Sequence, residues 1–256
     1  MKYPELEKLV DIVAVLRSEN GCQWDREQTH KSLRPNMLEE AYEAVDAIDD
    51  NDISNLREEL GDVLLQVVLH SQIAKDEGDF DIEDVAKELS TKLIHRHPHV
   101  FGDTKVNSTE EILSNWDKLK KEEKTYRKSI LDGISKSQSA LMSAQKISKK
   151  AIKVGFEWPS VESLKECIKS EYKEFEEAVQ EGDFDKMEDE MGDIFFATVN
   201  LARWFKIDAE QALLRANKKF IKRFKKMEEL AIKPLEDYSI EEYDKLWKQV
   251  KKSLNN

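Results

Sequence analysis

Eight acidic residues in this chain form two sets with identical spacing, each reading E-x2-E-x15-E-x2-D. The sets are Glu40, Glu43, Glu59 and Asp62 in the first half and Glu171, Glu174, Glu190 and Asp193 in the second. Each member of the second set lies 131 positions after its counterpart, as 171 does after 40. Because side chains three residues apart on a helix share a face, each set predicts four carboxylates that converge from two neighbouring helices.

Carboxylates held this close need a compensating charge. Two of them about 4 Å apart repel by about 1 kcal/mol in water and about 4 kcal/mol at an effective dielectric constant of 20. Divalent cations relieve that repulsion, and ligation by oxygen alone favours Mg²⁺, for which Mn²⁺ can substitute. Since Mg²⁺ commonly binds substrate phosphates as well, the two sets indicate metal-assisted phosphoryl chemistry.

Two other metal sites fit the sequence less well. A di-iron bundle needs Glu-x-x-His on two helices, and in neither acidic set does a histidine follow a glutamate by three positions. Zinc at His95, His97 and His99 is disfavoured because no cysteine lies nearby and Pro98 interrupts the helix between them. We expect these histidines to serve in capping and loop packing.

The acidic sets belong to a longer internal repeat. The segment EELGDVLLQVVLHSQIA at 58–74 aligns with DEMGDIFFATVNLARWF at 189–205, with the Gly-Asp pair kept in both. Upstream, Gly21-x-x-Trp24 corresponds to Gly155-x-x-Trp158. Repetition of this kind indicates two copies of one structural module. We place them at residues 1–130 and 131–256, with a break near Asp132 and Gly133.

Helical periodicity dominates the chain and predicts an all-α fold. Glycine after the periodic segments, at Gly21, Gly78 and Gly182, marks helix C-termini, and Ser32 and Ser160 are expected to be N-caps. No alternating strand pattern exceeds four residues. The predicted helices cover 4–19, 34–49, 53–76, 81–96, 108–126, 136–151, 160–181, 183–205, 207–230 and 239–253.

The helices that carry the second half of each acidic set are apolar on most sides. Helix 53–76 has one narrow polar stripe, through Glu59, Asp62, Gln66 and His70. Helix 183–205 behaves in the same way. A helix that is apolar nearly all round is usually buried, so we expect the acids to lie in an interior groove rather than in bulk water.

Composition limits the classes of function. Acidic residues outnumber basic ones by 53 to 41, for a net charge of -12, which disfavours stable binding of nucleic acid because phosphate backbones attract basic surfaces. No apolar run reaches the roughly 20 residues of a membrane span, and no signal peptide is visible. Two cysteines, Cys22 and Cys167, are too few for a disulfide framework. We therefore expect a soluble, cytoplasmic protein.

Together these motifs resemble the MazG family of nucleoside triphosphate pyrophosphohydrolases. The resemblance covers nearly the whole chain, and one departure is Gln23, where the family usually has proline. The matching segments are GCQWD at 21–25, QTH at 28–30, LEEAYE at 38–43, EELGD at 58–62, RHPHVF at 96–101, VGFEW at 154–158, the second acidic set, and ANKKF at 216–220.

The family resemblance implies an all-α homodimer that holds Mg²⁺ on the acids of both sets. It implies hydrolysis of nucleoside triphosphates to the monophosphate and pyrophosphate, as housekeeping of the nucleotide pool. One acid of each set is expected to orient or deprotonate the attacking water. The candidates for that catalytic role are Glu40 and Glu59 in the first set and Glu171 and Glu190 in the second, with the first glutamate of each set favoured.

The resemblance also suggests substrate-binding residues. Lys219 and Arg223, four apart on one helix, are expected to contact phosphate oxygens, although they also fit a solvated basic run. Trp247 would form an aromatic wall for the base and Lys251 a phosphate contact, although their helix could instead pack on the dimer partner. Asn200 could hydrogen-bond the sugar or a metal-bound water.

Two tryptophans that each follow a glycine motif, Trp24 and Trp158, are candidates for stacking on the base, but core packing is an equal alternative.

The modules differ in their cations. Glu88 stands opposite Lys219 in the repeat, whereas Lys92 stands opposite Arg223. The first module therefore has one cation fewer, and we expect the second to be the more active triphosphatase.

Two hypotheses from other classes remain. The chain could be a catalytically inert helical scaffold that binds nucleotide or a regulatory GTPase partner, although such a scaffold need not keep eight acids. It could also be a generic helical dimerisation domain, which the acidic stripe disfavours. Melting temperature with Mg²⁺ and nucleotide would separate these, since ligands that bind the folded state raise it.

Overall fold

Helices account for the regular structure of this chain. The structure is a computed structural model that describes residues 3–123, 126 and 128–254, and within those ranges it contains no strand. The all-α prediction is confirmed. The chain divides into two compact units, Met1–Lys124 and Thr125–Asn256. The division falls six residues before the boundary expected from the repeat.

The first unit is built on a pair of long helices, α3 and α4. Its helices are α1 (Pro4–Arg17), α2 (Gln23–Glu27), α3 (Arg34–Asp50), α4 (Ile53–Glu77), α5 (Ile82–Arg96), α6 (Pro98–Phe101) and α7 (Thr109–Glu122). The short helices α2 and α6 were not predicted. The final residues of the helix predicted over 108–126 lie beyond α7, partly outside the described residues.

The second unit repeats the long pair as α9 and α10. Its helices are α8 (Ala140–Ala151), α9 (Val161–Glu181), α10 (Phe184–Trp204), α11 (Ala209–Leu230) and α12 (Ile240–Ser253), with 3-10 turns at Ile152–Val154 and Leu235–Asp237. Helix α8 begins four residues later than predicted because the Ser139 hydroxyl caps it by accepting from the Met142 amide.

The same two-residue turn joins the long helices of each unit. In the first unit Asn51 adopts the left-handed conformation, and the Asp52 side chain then caps α4 by accepting from the Asn55 amide. In the second, Gly182 and Asp183 play these two parts for α9 and α10. A turn this short makes the helices adjacent and antiparallel, so each acidic set is brought onto one helical hairpin.

Apolar packing holds the helices of each unit together. In the first unit Val13 of α1 and Leu33, just before α3, pack with three residues of α4, namely Val68, Leu69 and Ile73. In the second, Met227 of α11 packs with Leu246 and Val250 of α12. The α4 residues of the first core come from the C-terminal half of that helix, beyond the acids.

Polar side chains fix α8 against its neighbours. The buried Gln145 amide donates to the Ile207 carbonyl at 2.7 Å and accepts from the Ala209 amide at 3.0 Å, which ties α8 to the turn before α11. The Ser148 hydroxyl donates to Asn200 Oδ1 at 2.6 Å, and Asn200 Nδ2 donates to the Phe196 carbonyl. Each of these polar groups is paired, as burial requires.

Of the expected capping residues, Ser32 and Gly21 act differently from the prediction. Ser160 caps α9 as expected, but Ser32 does not cap α3, whose N-cap position is Leu33; the Ser32 hydroxyl donates to Gln28 instead. Gly21 follows α1 without a left-handed backbone. A Cβ there would lie 2.2 Å from the Leu16 carbonyl oxygen, so the last turn of α1 leaves room only for glycine.

Candidate metal and substrate site

Each helical hairpin brings three carboxylates together. In the first unit, oxygens of Glu40, Glu43 and Glu59 lie within 4.8 Å of one another, and we call these three residues the first acid cluster. In the second unit Glu171, Glu174 and Glu190 form the second acid cluster with the same limit of separation. Two acids come from one helix of the hairpin and one from the other, so three of the four carboxylates expected to converge in each set lie within this limit.

The fourth acid of each set lies outside these close groups but still acts on them. Asp62 raises the pKa of both Glu40 and Glu59 through its negative charge, and Asp193 does the same to Glu190. In all three glutamates the largest cause of the raised pKa is loss of hydration, and repulsion by neighbouring carboxylates follows. Both effects oppose ionisation, and a bound cation would reverse the second.

No basic side chain neutralises the clusters within the described residues. Lys173 and Lys186 lie on the hairpin of the second unit, but they pair with Glu177 and Glu181 rather than with the second acid cluster. In the described part of the chain, no lysine or arginine pairs with a member of either cluster. Three carboxylate oxygen donors without a cationic partner fit a hard divalent ion.

Two residues next to the second acid cluster were not among the predicted site residues. The Cys167 thiol donates to Glu171 Oε1 at 3.3 Å, and the Ser170 hydroxyl donates to Glu174 Oε1 at 3.0 Å. Burial, followed by the hydrogen bond to Glu171, raises the pKa of Cys167 to about 11. Both lie four residues before the acids they contact, a helical spacing that could have signalled them.

The acids are less buried than the sequence suggested. Glu43 and Glu174 are exposed, and the other cluster members are half-buried. Apolar residues beside them are uncovered too, with Leu60 54% and Phe195 59% exposed. The expectation of an interior groove is therefore wrong for the described chain, because the cluster acids and these apolar neighbours are partly or fully exposed.

Four of the predicted substrate residues lie on the α11–α12 pair. Lys219 and Arg223 lie on α11, and Trp247 and Lys251 on α12. The Trp247 ring lies 5.5 Å from that of Phe220, which was not among the predicted site residues. Within the described residues, none of the four predicted residues forms a hydrogen bond or ion pair with the second acid cluster.

Three predicted positions lie elsewhere. Trp24 lies on α2 and is 57% exposed, while Trp158 is half-buried. Asn200 is buried in α10, where Ser148 and the Phe196 carbonyl engage its amide. This arrangement supports a part for Asn200 in packing α10 against α8.

The three histidines considered for zinc lie at the end of α5 and in α6. His95 Nδ1 lies 3.1 Å from Glu123, which also accepts from Arg96. His97 Nδ1 donates to the Leu93 carbonyl at 2.7 Å. The contacts of His95 and Arg96 with Glu123 tie the end of α5 to the residue that follows α7.

Comparison with known proteins identifies the repeated hairpin. The profile of the MazG nucleotide pyrophosphohydrolase domain matches residues 28–101 and again residues 159–227. Each match includes one complete acidic set. The two-module arrangement predicted from the repeat is therefore confirmed.

Relatives match over nearly their whole length. The nucleoside triphosphate pyrophosphohydrolase/pyrophosphatase MazG of Thermotoga maritima is 47% identical, over 96% of this chain and 95% of its own. The nucleoside triphosphate pyrophosphohydrolase of Escherichia coli K12 is 43% identical, over 97% of both chains. The crystal structure of a mazG-related protein from Thermotoga maritima, 31% identical, covers 45% of this chain and 98% of its own with a TM-score of 0.40.

Proposed function

Because this chain belongs to the MazG nucleotide pyrophosphohydrolase family, we propose that its acid clusters hold the divalent cations with which it hydrolyses nucleoside triphosphates. The chain is a hydrolase, and its products are the nucleoside monophosphate and pyrophosphate. The main support for this metal site is that three carboxylates lie within 4.8 Å of one another, without a basic partner, in both units. We propose Mg²⁺ as the ion, with Mn²⁺ as a substitute.

A cation bound at either cluster would neutralise charge on the substrate phosphates. Side chains of the clusters hold the ion and act on the attacking water. Glu171, and Glu40 in the first unit, are the first acids of their sets, and we propose that they accept the proton of the water that attacks the phosphate. The Cys167 thiol donates to Glu171 and so orients that carboxylate. Glu190 and Glu59 hold the ion from the opposite helix.

Side chains on the α11–α12 pair contact the substrate in the second unit. Lys219, Arg223 and Lys251 provide cations for phosphate oxygens. Trp247 and its neighbour Phe220 provide aromatic surface for the base, and their rings are tilted by 47° to each other. Trp24, exposed on α2, supplies similar surface in the first unit.

We propose that the chain works as a homodimer. Beside the first acid cluster the hairpin leaves Tyr42, Ile48 and Leu60 more than half exposed, and the second hairpin does the same with Tyr172 and Phe195. Apolar surface of this extent on a helix pair commonly marks a protein interface. A second copy would bury it and complete the groove expected from the sequence. A measured mass of one chain in solution would contradict this.

We also propose a cytoplasmic location. Nucleoside triphosphates are most abundant in that compartment, and both cysteines are free thiols in the structure, as a reducing environment allows. Among the described residues, no helix combines the length and the apolar character that crossing a bilayer requires.

Product identity tests the proposed function directly. With one triphosphate and Mg²⁺, we expect the monophosphate and pyrophosphate, and we expect Glu190→Gln to reduce their formation. Glu188→Gln makes the same chemical change on the same helix outside the second acid cluster, and should retain activity. Orthophosphate and the diphosphate as products would overturn the assigned bond, and no product with several nucleotides would favour the inert scaffold.

A further inference from the structure

One buried polar atom beside the first acid cluster has no partner. Gln66 of α4 is only 5% exposed, and its Oε1 makes no hydrogen bond within the described chain. Native structures rarely leave a buried amide oxygen unpaired, because the lost hydration is not replaced. An unpaired acceptor of this kind points to a donor from outside the described chain.

The position of Gln66 relates that atom to the first acid cluster. It follows Asp62 by four residues and Glu59 by seven, and this spacing places all three on one face of α4. At the helical rise, Gln66 lies about 6 Å beyond Asp62 and about 10 Å beyond Glu59 along the axis. A nucleotide with its phosphates at the cluster would reach this far with its sugar and base.

His70, the next polar residue along the same face, is paired with His30. The Nδ1 atoms of His30 and His70 lie 2.8 Å apart, and their rings stack with centroids 5.1 Å apart. One nitrogen must donate and the other accept, so the histidine pair satisfies its own hydrogen bonding at these atoms. Gln66 therefore lies between a carboxylate cluster and a self-paired histidine couple.

The second unit lacks this acceptor. Ala197 occupies the position of Gln66 in the repeat, and it is also 5% exposed. A methyl group occupies the same buried position without any need for a donor. The two units therefore have similar acid clusters but differ at the point where a nucleoside would extend along the helix.

We propose that Gln66 Oε1 accepts a hydrogen bond from an N–H or O–H group of the nucleoside part of a nucleotide bound at the first acid cluster. Gln66 is then a specificity-determining residue of the first unit, and the second unit does not read this group. The inference rests on the proposed function, because it takes the cluster to hold nucleotide phosphates.

Binding by a variant with a disabled second site tests this inference. Glu171→Gln with Glu190→Gln removes two carboxylates from the second acid cluster and leaves the first intact. Calorimetry with Mg²⁺ then gives the affinity for α,β-methylene-ATP, which resists hydrolysis at the proposed bond, and for tripolyphosphate, which has no nucleoside. Gln66→Met removes the acceptor at similar volume, and Gln72→Met is the matched change on the same helix.

We expect Gln66→Met to weaken binding of the nucleotide analogue by about tenfold, as for one lost hydrogen bond, and to leave tripolyphosphate binding unchanged. Gln72→Met should alter neither. A 2′-deoxy analogue narrows the position of the donor: if Gln66→Met no longer affects its binding, the donor is the 2′-hydroxyl, and if the effect persists, the donor is the 3′-hydroxyl or a group on the base.

Two results would overturn the inference, and they are distinguishable. Equal weakening of both ligands, or no change in either, would show that Gln66 does not contact the nucleoside while the first acid cluster still binds phosphates. Failure of both ligands to bind before Gln66 is changed would instead show that the first unit does not have the proposed function.

Discussion

At the scale of single residues, the acid clusters hold like charges together with little to offset them. Loss of hydration and neighbouring carboxylates raise the pKa of Glu40, Glu59 and Glu190 above the ordinary value. A carboxyl group with a raised pKa favours the folded state while it is protonated, and this contribution is lost as the pH rises through that pKa. A divalent cation removes the penalty by pairing with the ionised groups.

Protection by Mg²⁺ should therefore depend on pH. We expect the rise in melting temperature on adding Mg²⁺, measured against EDTA, to be small at about pH 5 and larger at about pH 8. The sign follows because protons compete with the cation for the same carboxylates. Glu188→Gln should keep this pH dependence and Glu190→Gln should weaken it. Equal protection at both pH values in the unmodified protein would contradict the metal assignment.

Asn200 offers a second test at this scale. Its amide is engaged by Ser148 and by the Phe196 carbonyl, so Asn200→Leu should destabilise the fold by about 1 to 3 kcal/mol by leaving a buried hydroxyl unpaired. Urea unfolding measures this change. A variant of unchanged stability whose KM for nucleotide rises severalfold would instead support the sugar contact expected from the sequence.

At the scale of elements, the two helical hairpins explain why the acids could be located from the sequence. Spacing of three residues fixes a helix face, and the two-residue turns, with Asn51 or Gly182 left-handed and an aspartate cap following, fix the helices as antiparallel neighbours. Both signals are local. Helices α2 and α6 were missed because four or five residues are too few to show a helical period.

The end of α1 shows a local requirement that periodicity cannot reveal. A Cβ on Gly21 would lie 2.2 Å from the Leu16 oxygen and 2.3 Å from the Val15 oxygen, both backbone atoms. We expect Gly21→Ala to destabilise the first unit by about 2 kcal/mol or more. Gly61→Ala is the control, because a Cβ there meets nothing within 4 Å, and as a helical position it should gain about 0.5 to 1 kcal/mol.

Chemical denaturation of the two glycine variants distinguishes these expectations. Similar unfolding midpoints for both would mean that the backbone at Gly21 moves freely enough to admit a methyl group. Loss of stability in Gly61→Ala alone would mean that the surface of α4 near Asp62 is covered in solution, as a dimer interface would make it.

At the scale of the whole molecule, duplication has kept the acids and changed their surroundings. The second unit has Lys219 where the first has Glu88, and Ala197 where the first has Gln66. The first of these differences favours phosphate binding by the second unit. We therefore expect Glu190→Gln to reduce kcat by about a hundredfold or more, and Glu59→Gln to retain most turnover. Loss of all activity in Glu59→Gln alone would overturn this division.

The burial of the acids could not be predicted from one chain. Apolar residues around Glu59 and Glu190 indicated an interior position, yet Leu60 and Phe195 remain more than half exposed. The hydrophobic pattern reports what a surface packs against, and that can belong to another molecule. The contact between Phe220 and Trp247 could not be predicted either, because these residues lie 27 positions apart and on different helices.

The two cysteines also differ as sites for attaching a fluorescent dye to the native chain. Cys22 lies in the first unit and Cys167 in the second, and both thiols are free. Because the pKa of Cys167 is raised to about 11, little thiolate forms there at neutral pH, and maleimide dyes should attach to it slowly. One equivalent of dye would then label Cys22 in the first unit and leave the Cys167 thiol free for its contact with Glu171.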